Sequence, residues 1–166
     1  MGNNTQAEEK HFVEDVGIVF EQTGLPRTAG RIFGWLLISD PPHQSTSELA
    51  EALMASRGSI STMTRLLIQI GLIERISLSG VRHDYFRLRP DAWQHMMRRG
   101  LEDEIKMFRQ LAEHGLELLA DKTPLTQKWL EEMRDVYSFL EQEFPVLLER
   151  WEQERKEKQA TSEVTR

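Results

Sequence analysis

The chain contains no cysteine in its 166 residues, which removes disulfide frameworks, thiol nucleophiles and thiolate zinc sites from consideration. It also lacks any apolar run near the roughly 20 residues that a membrane helix needs. Its opening MGNNTQAEEK has no apolar signal-peptide core. The expected compartment is a reducing cytoplasm, with no membrane partner. Catalytic signatures are missing as well: there is no His-Glu-x-x-His pair, no Gly-x-Ser-x-Gly elbow and no phosphate-cradling glycine loop. The one-turn pairs Asp91/His95 and His114/Glu117 offer two ligands each, and two ligands do not make a metal site. No enzymatic activity, cofactor or metal is expected.

What is present is mostly helix periodicity, in a length that suits one domain with helical extensions. Phe12, Val13, Val16 and Phe20 form an apolar stripe. Gly24-Leu25-Pro26 breaks it, and Thr28 is placed to cap a second helix carrying Ile32, Phe33, Leu36 and Leu37, which Asp40-Pro41-Pro42 ends. Ser45 with Glu48 three residues on spells a capping box for a third helix. Ser56 opens a fourth, whose apolar face is Ile60, Met63, Leu67 and Ile70, while Arg57, Ser59, Ser61, Thr62 and Arg65 fall on the other side. Gly71 stops that helix. Two β-prone runs, Leu72 to Leu78 and Tyr85 to Leu88, then fold back around Ser79 and Gly80, with Arg82 and His83 near the tip.

Beyond the hairpin, Pro90 suits a first helical position, and Trp93, Met97, Leu101, Ile105, Phe108, Ala112, Gly115 and Leu119 recur at helical spacing. They predict one helix of about 30 residues. Thr123 as cap and Pro124 as first residue then begin a last long helix. Its stripe Trp129, Met133, Val136, Leu140, Phe144, Leu147 and Trp151 follows an eleven-residue repeat, close to the period of a straight helix. Pro145 predicts a bend near residues 141–144. The charged tail from Glu152 is expected to fray.

Charge is divided unevenly along the chain. The net of −6 resolves into −3 over residues 1–40, +2 over 41–90 and −5 over 91–166. The only net positive third is the one with two capped helices and a hairpin. Its fourth helix presents small hydroxyl side chains flanked by arginines, which is what close approach to base edges and phosphates in a major groove requires. The hairpin tip adds cations suited to flanking phosphates. The candidate DNA-binding residues are therefore Ser45, Arg57, Ser59, Ser61, Thr62, Arg65, Arg82 and His83. A helix-turn-helix used only for protein contacts is the competing interpretation.

The flanking stripes hold more apolar surface than one such unit can bury. A homodimer is expected, with Phe12, Val16, Phe20, Trp129, Met133, Val136, Leu140, Phe144, Leu147 and Trp151 at its interface, binding a pseudo-palindromic double-stranded site. The expected fold is mainly α, a winged helix-turn-helix with a two-stranded hairpin wing and long N- and C-terminal dimerisation helices. Residues 1–27 would form part of the dimerisation region, 28–90 the DNA-binding domain, 91–157 the C-terminal dimerisation helices and 158–166 a disordered tail.

The runs GLPRTAGRIFGWLLISDPP, STSELAEALMASRGSIS and IQIGLIERI, with a hairpin ending in DYFRL, resemble the multiple antibiotic resistance regulator (MarR) family. Within it they look most like the branch of the glycine betaine synthesis repressor (GbsR). The resemblance spans residues 12–150 or so and implies a dimeric winged-helix transcription factor, a repressor whose DNA affinity a small molecule changes. By position it implies that Arg57, Ser59, Ser61, Thr62 and Arg65 form the recognition helix and that Arg82 is the wing arginine. Many members carry an acidic residue two before that arginine, where this chain has Gly80. For an effector, quaternary ammonium compounds are one implied class, with Trp35 and Trp93 as candidate ligand-binding residues.

Overall fold

Helix α1 (Gly2–Gln22) lies along α2 (Arg27–Ile38) because small residues let the two backbones meet. A Cβ built on Gly30 would sit 2.7 Å from Phe20 Cβ and 2.8 Å from Gly17 Cα, so only glycine fits there. The computed structural model describes residues 2–80, 82–121 and 123–164. The chain divides into two compact units, residues 1–93 and 94–166.

In the first unit, β1 (Gln44–Ser45), α3 (Thr46–Ala52), α4 (Arg57–Gln69), β2 (Ile73–Ser77) and β3 (Asp84–Leu88) follow α2. Helix α2 begins at Arg27, with Pro26 at the cap position and no side-chain cap. Thr28 therefore lies inside the first turn instead of capping it, because the preset φ of Pro26 already directs the chain into the helix. The caps of α3 and α4 are those expected: Ser45 and Glu48 form a reciprocal box, and the Ser56 hydroxyl accepts the Ser59 N–H at 3.1 Å. Gly71 takes φ 78° just past the end of α4, a conformation available to glycine at no cost.

The strands differ from expectation in extent and number. β2 and β3 pair antiparallel from Ile73↔Leu88 to Ser77↔Asp84. A third strand, β1, joins the sheet in the order β1-β3-β2, with Gln44↔Phe86 and Ser45↔Tyr85. Two residues are too few to show a period of two, which is why alternation could not reveal β1. The core beneath is formed by Ile32, Phe33, Leu36, Leu49, Ile60, Leu67, Leu72, Ile73 and Phe86, with Val13 and Phe20 of α1 packed into it. At about 25 cal/mol per Å² of apolar burial, residues of this size contribute roughly 1.5–3 kcal/mol each.

The junction carries α5 (Ala92–Met96), followed by a π-helical turn, Met97–Glu102. In the second unit α6 (Asp103–Leu118) precedes α7 (Pro124–Val164). The single helix expected after Pro90 is thus interrupted by a wider turn, which the spacing of Met97, Leu101 and Ile105 cannot distinguish from α-helix. α6 and α7 run antiparallel: Gly115 meets Leu130, Phe108 stacks on Tyr137 with ring centroids 5.0 Å apart, and Arg98 pairs with Glu152 at 2.9 Å. Arg109 bonds both Glu113 and Glu141, and Leu148 is buried. α7 is continuous through Pro145 and stays helical to Val164, so the tail expected to be disordered is helical as far as the described residues go. Backbone capture inside this stretch, such as the Thr161 hydroxyl donating to the Glu157 carbonyl, accompanies that helix. Among the described residues no helix is long and apolar enough to cross a membrane.

Candidate nucleic-acid interface

Wound at 3.6 residues per turn, α4 places Arg57, Gly58, Ser61, Thr62, Arg65 and Gln69 within an arc of about 140°, and all six are exposed. Its opposite side buries Ile60, Thr64 and Leu67. Thr64 is a polar residue that the apolar spacing left unassigned. It is 1% exposed and spends its hydroxyl hydrogen on the Ile60 carbonyl at 2.9 Å, so it belongs to the core. Ser59 is half-buried and falls outside the exposed arc. The Thr62 hydroxyl donates to the Gly58 carbonyl at 3.0 Å, and Arg65 Nε donates to the Ser61 carbonyl at 3.1 Å. Those bonds hold both side chains along their own helix while leaving the remaining Arg65 guanidinium donors outward.

Next to α4 the hairpin completes an open groove of about 440 Å³, lined by Ser45, Ser47, Ser61, Arg65, Arg75, Arg82 and His83 among others. Five of the eight residues expected at a DNA surface converge here. Arg57, Ser59 and Thr62 lie on α4 outside the lining. Ser45 is at the groove yet 7% exposed, and its hydroxyl is taken by the Glu48 N–H at 3.3 Å. Its place is explained by capping, and the more exposed Ser47 beside it is the accessible hydroxyl.

Electrostatically the groove is cationic. Arg75 pairs with Asp84 at 3.3 Å, whereas Arg57 and Arg82 have no ion pair among the described residues. Gly80 turns the tip with φ 83°. Tyr85 anchors its base, with the His43 ring edge-on at 5.3 Å and the His83 ring at 6.2 Å. Glu48 lies in the first turn of α3. The Ser45 backbone N–H, then the Ser45 hydroxyl, hold its carboxyl below the usual glutamate value, with His43 and His83 adding to the effect.

Three residues at this surface escaped the sequence. Arg75 lies on β2, where the strand's alternation hid which face it would take. Ser47 was overshadowed by the cap. Gly58 carries a legible signal: a glycine inside a helix costs up to about 1 kcal/mol relative to alanine, and the nearest atom to a Cβ there is Ser56 Oγ at 3.9 Å. Packing gives it no reason to be glycine.

The tryptophans do not form one site. Trp35 lines a separate cavity between α1, α2 and α3 and donates its Nε1–H to Gln44 Oε1 at 3.4 Å. Trp93 packs edge-on against Phe33 at 5.6 Å and is absent from that lining. Of the residues expected at a dimer interface, Phe20 is spent against Phe33 of its own chain, with centroids 5.5 Å apart. Val16 is half-buried on the same core. Phe12 remains exposed, and on α7 Trp129 (72%), Val136 (51%), Leu147 (50%) and Trp151 (42%) face solvent, while Met133, Leu140 and Phe144 are half-buried. Among the described residues no three His, Asp or Glu side chains converge to hold a metal ion, and Asp91 is engaged by Arg89 at 2.8 Å.

Comparison with known proteins agrees with this architecture. The profile of MmpR5-like MarR family transcriptional regulators matches residues 91–154. The HTH-type transcriptional regulator MmpR5 of Mycobacterium tuberculosis is 47% identical over 130 residues, 78% of each chain. The HTH-type transcriptional repressor OpcR of Bacillus subtilis is 30% identical over 86 residues, 52% of this chain and 46% of that protein. A crystal structure described as a transcriptional regulator superposes with a TM-score of 0.71 at 44% identity, covering 88% of this chain and 99% of that one. With its winged helix-turn-helix and these relatives, the chain belongs to the MarR family: it is a DNA-binding transcriptional regulator and not an enzyme.

Proposed function

We propose that the chain is a sequence-specific repressor that binds a pseudo-palindromic operator as a homodimer in the cytoplasm. The observation that carries this reading is the convergence of Ser61 and Arg65 of α4 with Arg75, Arg82 and His83 of the hairpin in one groove. In the proposed complex α4 enters the major groove. Ser61 and Thr62 reach base edges, Arg57 and Arg65 address phosphate or guanine, and Arg82 and His83 lie over the flanking backbone. Ser59 supports the α4 entry through its backbone N–H, which the Ser56 hydroxyl holds.

Support for two copies comes from α7, whose stripe of Trp129, Val136, Leu147 and Trp151 is too large and too aromatic to be left in water. Two copies related by a two-fold axis would present their recognition helices about 34 Å apart, one turn of B-DNA. Repression, the role named for OpcR of B. subtilis, is part of the proposal. So are the GbsR-like branch, supported by the Gly30–Leu37 and Ser56–Ser61 segments, and control by a small-molecule effector.

Selecting genomic fragments on the purified protein tests the reading as a whole. Enrichment of a short inverted repeat upstream of a gene whose expression rises when the regulator is deleted is the expected outcome. Failure to enrich any sequence over bulk DNA would contradict it.

A further inference from the structure

A second cavity of the first unit shares no lining residue with the cationic groove and has the opposite electrostatic character. It measures about 680 Å³, within the range of small-molecule sites, and opens between α1, α2 and α3. Its lining holds four carboxylates, Glu9, Glu14, Glu48 and Glu51, against two cations, Lys10 and Arg31. Two of the four are already committed: Glu14 forms ion pairs with Arg31 at 2.6 Å and Arg27 at 3.0 Å, and Glu48 accepts the Ser45 N–H at 2.6 Å. Glu9 and Glu51 have no polar partner among the described residues. They outnumber Lys10, so the cavity keeps an unmatched negative charge. Apart from Gln6, the remaining wall is built from Val13, Ala52, Leu53, Met54 and the half-buried Trp35.

We infer that this cavity binds a small organic cation, a protonated aliphatic amine whose ammonium group is held by Glu9 and Glu51 and whose carbon chain lies on Trp35 and Leu53. Three features select that class. The carboxylates do not converge as metal ligands do, so a bare divalent ion is disfavoured. Only one aromatic residue lines the wall, where a quaternary ammonium wants a cage of several. An N–H-bearing ammonium, by contrast, donates charge-assisted hydrogen bonds to carboxylates directly.

Calorimetric titration of the full-length protein with n-hexylammonium tests this without reference to DNA. The expected result is saturable binding of one equivalent per chain. Hexanol, the neutral isostere, should bind at least tenfold more weakly, and the Glu9→Gln/Glu51→Gln protein should lose at least tenfold in affinity for the amine. Both glutamates are on helix surfaces and glutamine keeps their shape, so the variant should melt with the parent. The hexanol comparison needs no variant at all. Absence of saturable binding, equal binding of hexanol, or undiminished binding by the double variant each overturns the assignment.

Discussion

Ser45 and Glu48 hold each other at the start of α3: the Glu48 carboxylate accepts the Ser45 N–H at 2.6 Å, and the Ser45 hydroxyl accepts the Glu48 N–H at 3.3 Å. Ser45 also pairs with Tyr85 in the sheet, so this one box ties helix α3 to the strand that leads from the wing. Ser45→Ala should cost about 1 kcal/mol of stability, read as a lowered midpoint in urea. Glu48 adds a pH dependence to this box. A carboxyl whose folded value is depressed adds stability above its unfolded value, about 4.3, and loses it as pH falls through the lower folded value. Thermal melts of the parent and Glu48→Gln should therefore differ at neutral pH and converge in acid below about pH 4. A gap that stays constant down to pH 3 would show that the carboxylate is not held in this way.

Gly58 should respond in opposite senses to two assays. Alanine there meets open space and improves helix propensity by up to about 1 kcal/mol, so Gly58→Ala should melt at or above the parent temperature. The same methyl stands on the exposed arc of α4 and should weaken operator binding several-fold by keeping the helix away from the groove floor. Fluorescence anisotropy on a labelled operator, run beside the melt, checks both signs.

Neighbouring leucines on α7 separate folding from association. Leu148 is buried at 7% exposed, and Leu147 is 50% exposed on the outer stripe. Leu148→Ala should lose roughly 2–5 kcal/mol of stability. Leu147→Glu should leave the helical circular dichroism intact and shift sedimentation from dimer to monomer at micromolar concentration. If Leu147→Glu sediments like the parent, the stripe is not the dimer contact.

Local signals carried much of the fold into the sequence. The caps at Ser45 and Ser56, the stop at Gly71 and the start at Pro124 each depend on a few adjacent residues, and each is where the letters place it. Strand β1 was not legible because its partner, Tyr85–Phe86, is some forty positions away and two residues carry no pattern. The stripe from Trp129 to Trp151 was easy to see because it is uniformly apolar. The face that packs on α6, through Leu130, Tyr137 and Glu141, lies roughly 80–100° further round the helix and mixes apolar contacts with the Arg109–Glu141 ion pair. Mixed chemistry concealed it. At the candidate interface the helix α4 contribution was visible from its spacing, whereas Arg75 needed the hairpin register, Ile73↔Leu88, before its position beside Arg65 and Arg82 could be known.

If the groove between α4 and the wing is the DNA-contacting surface, the salt dependence of operator binding will register the loss of its arginines. Equilibrium affinity should be measured from 50 to 300 mM salt, a range of about sixfold, for the parent, Arg65→Ala, Arg82→Ala and Arg27→Ala, the last an arginine paired with Glu14 away from the groove. Arg65→Ala and Arg82→Ala should each bind more weakly and each lower the slope of log affinity against log salt by about one, with Arg27→Ala matching the parent. Slopes unchanged in both groove variants would contradict a DNA-contacting role for the groove.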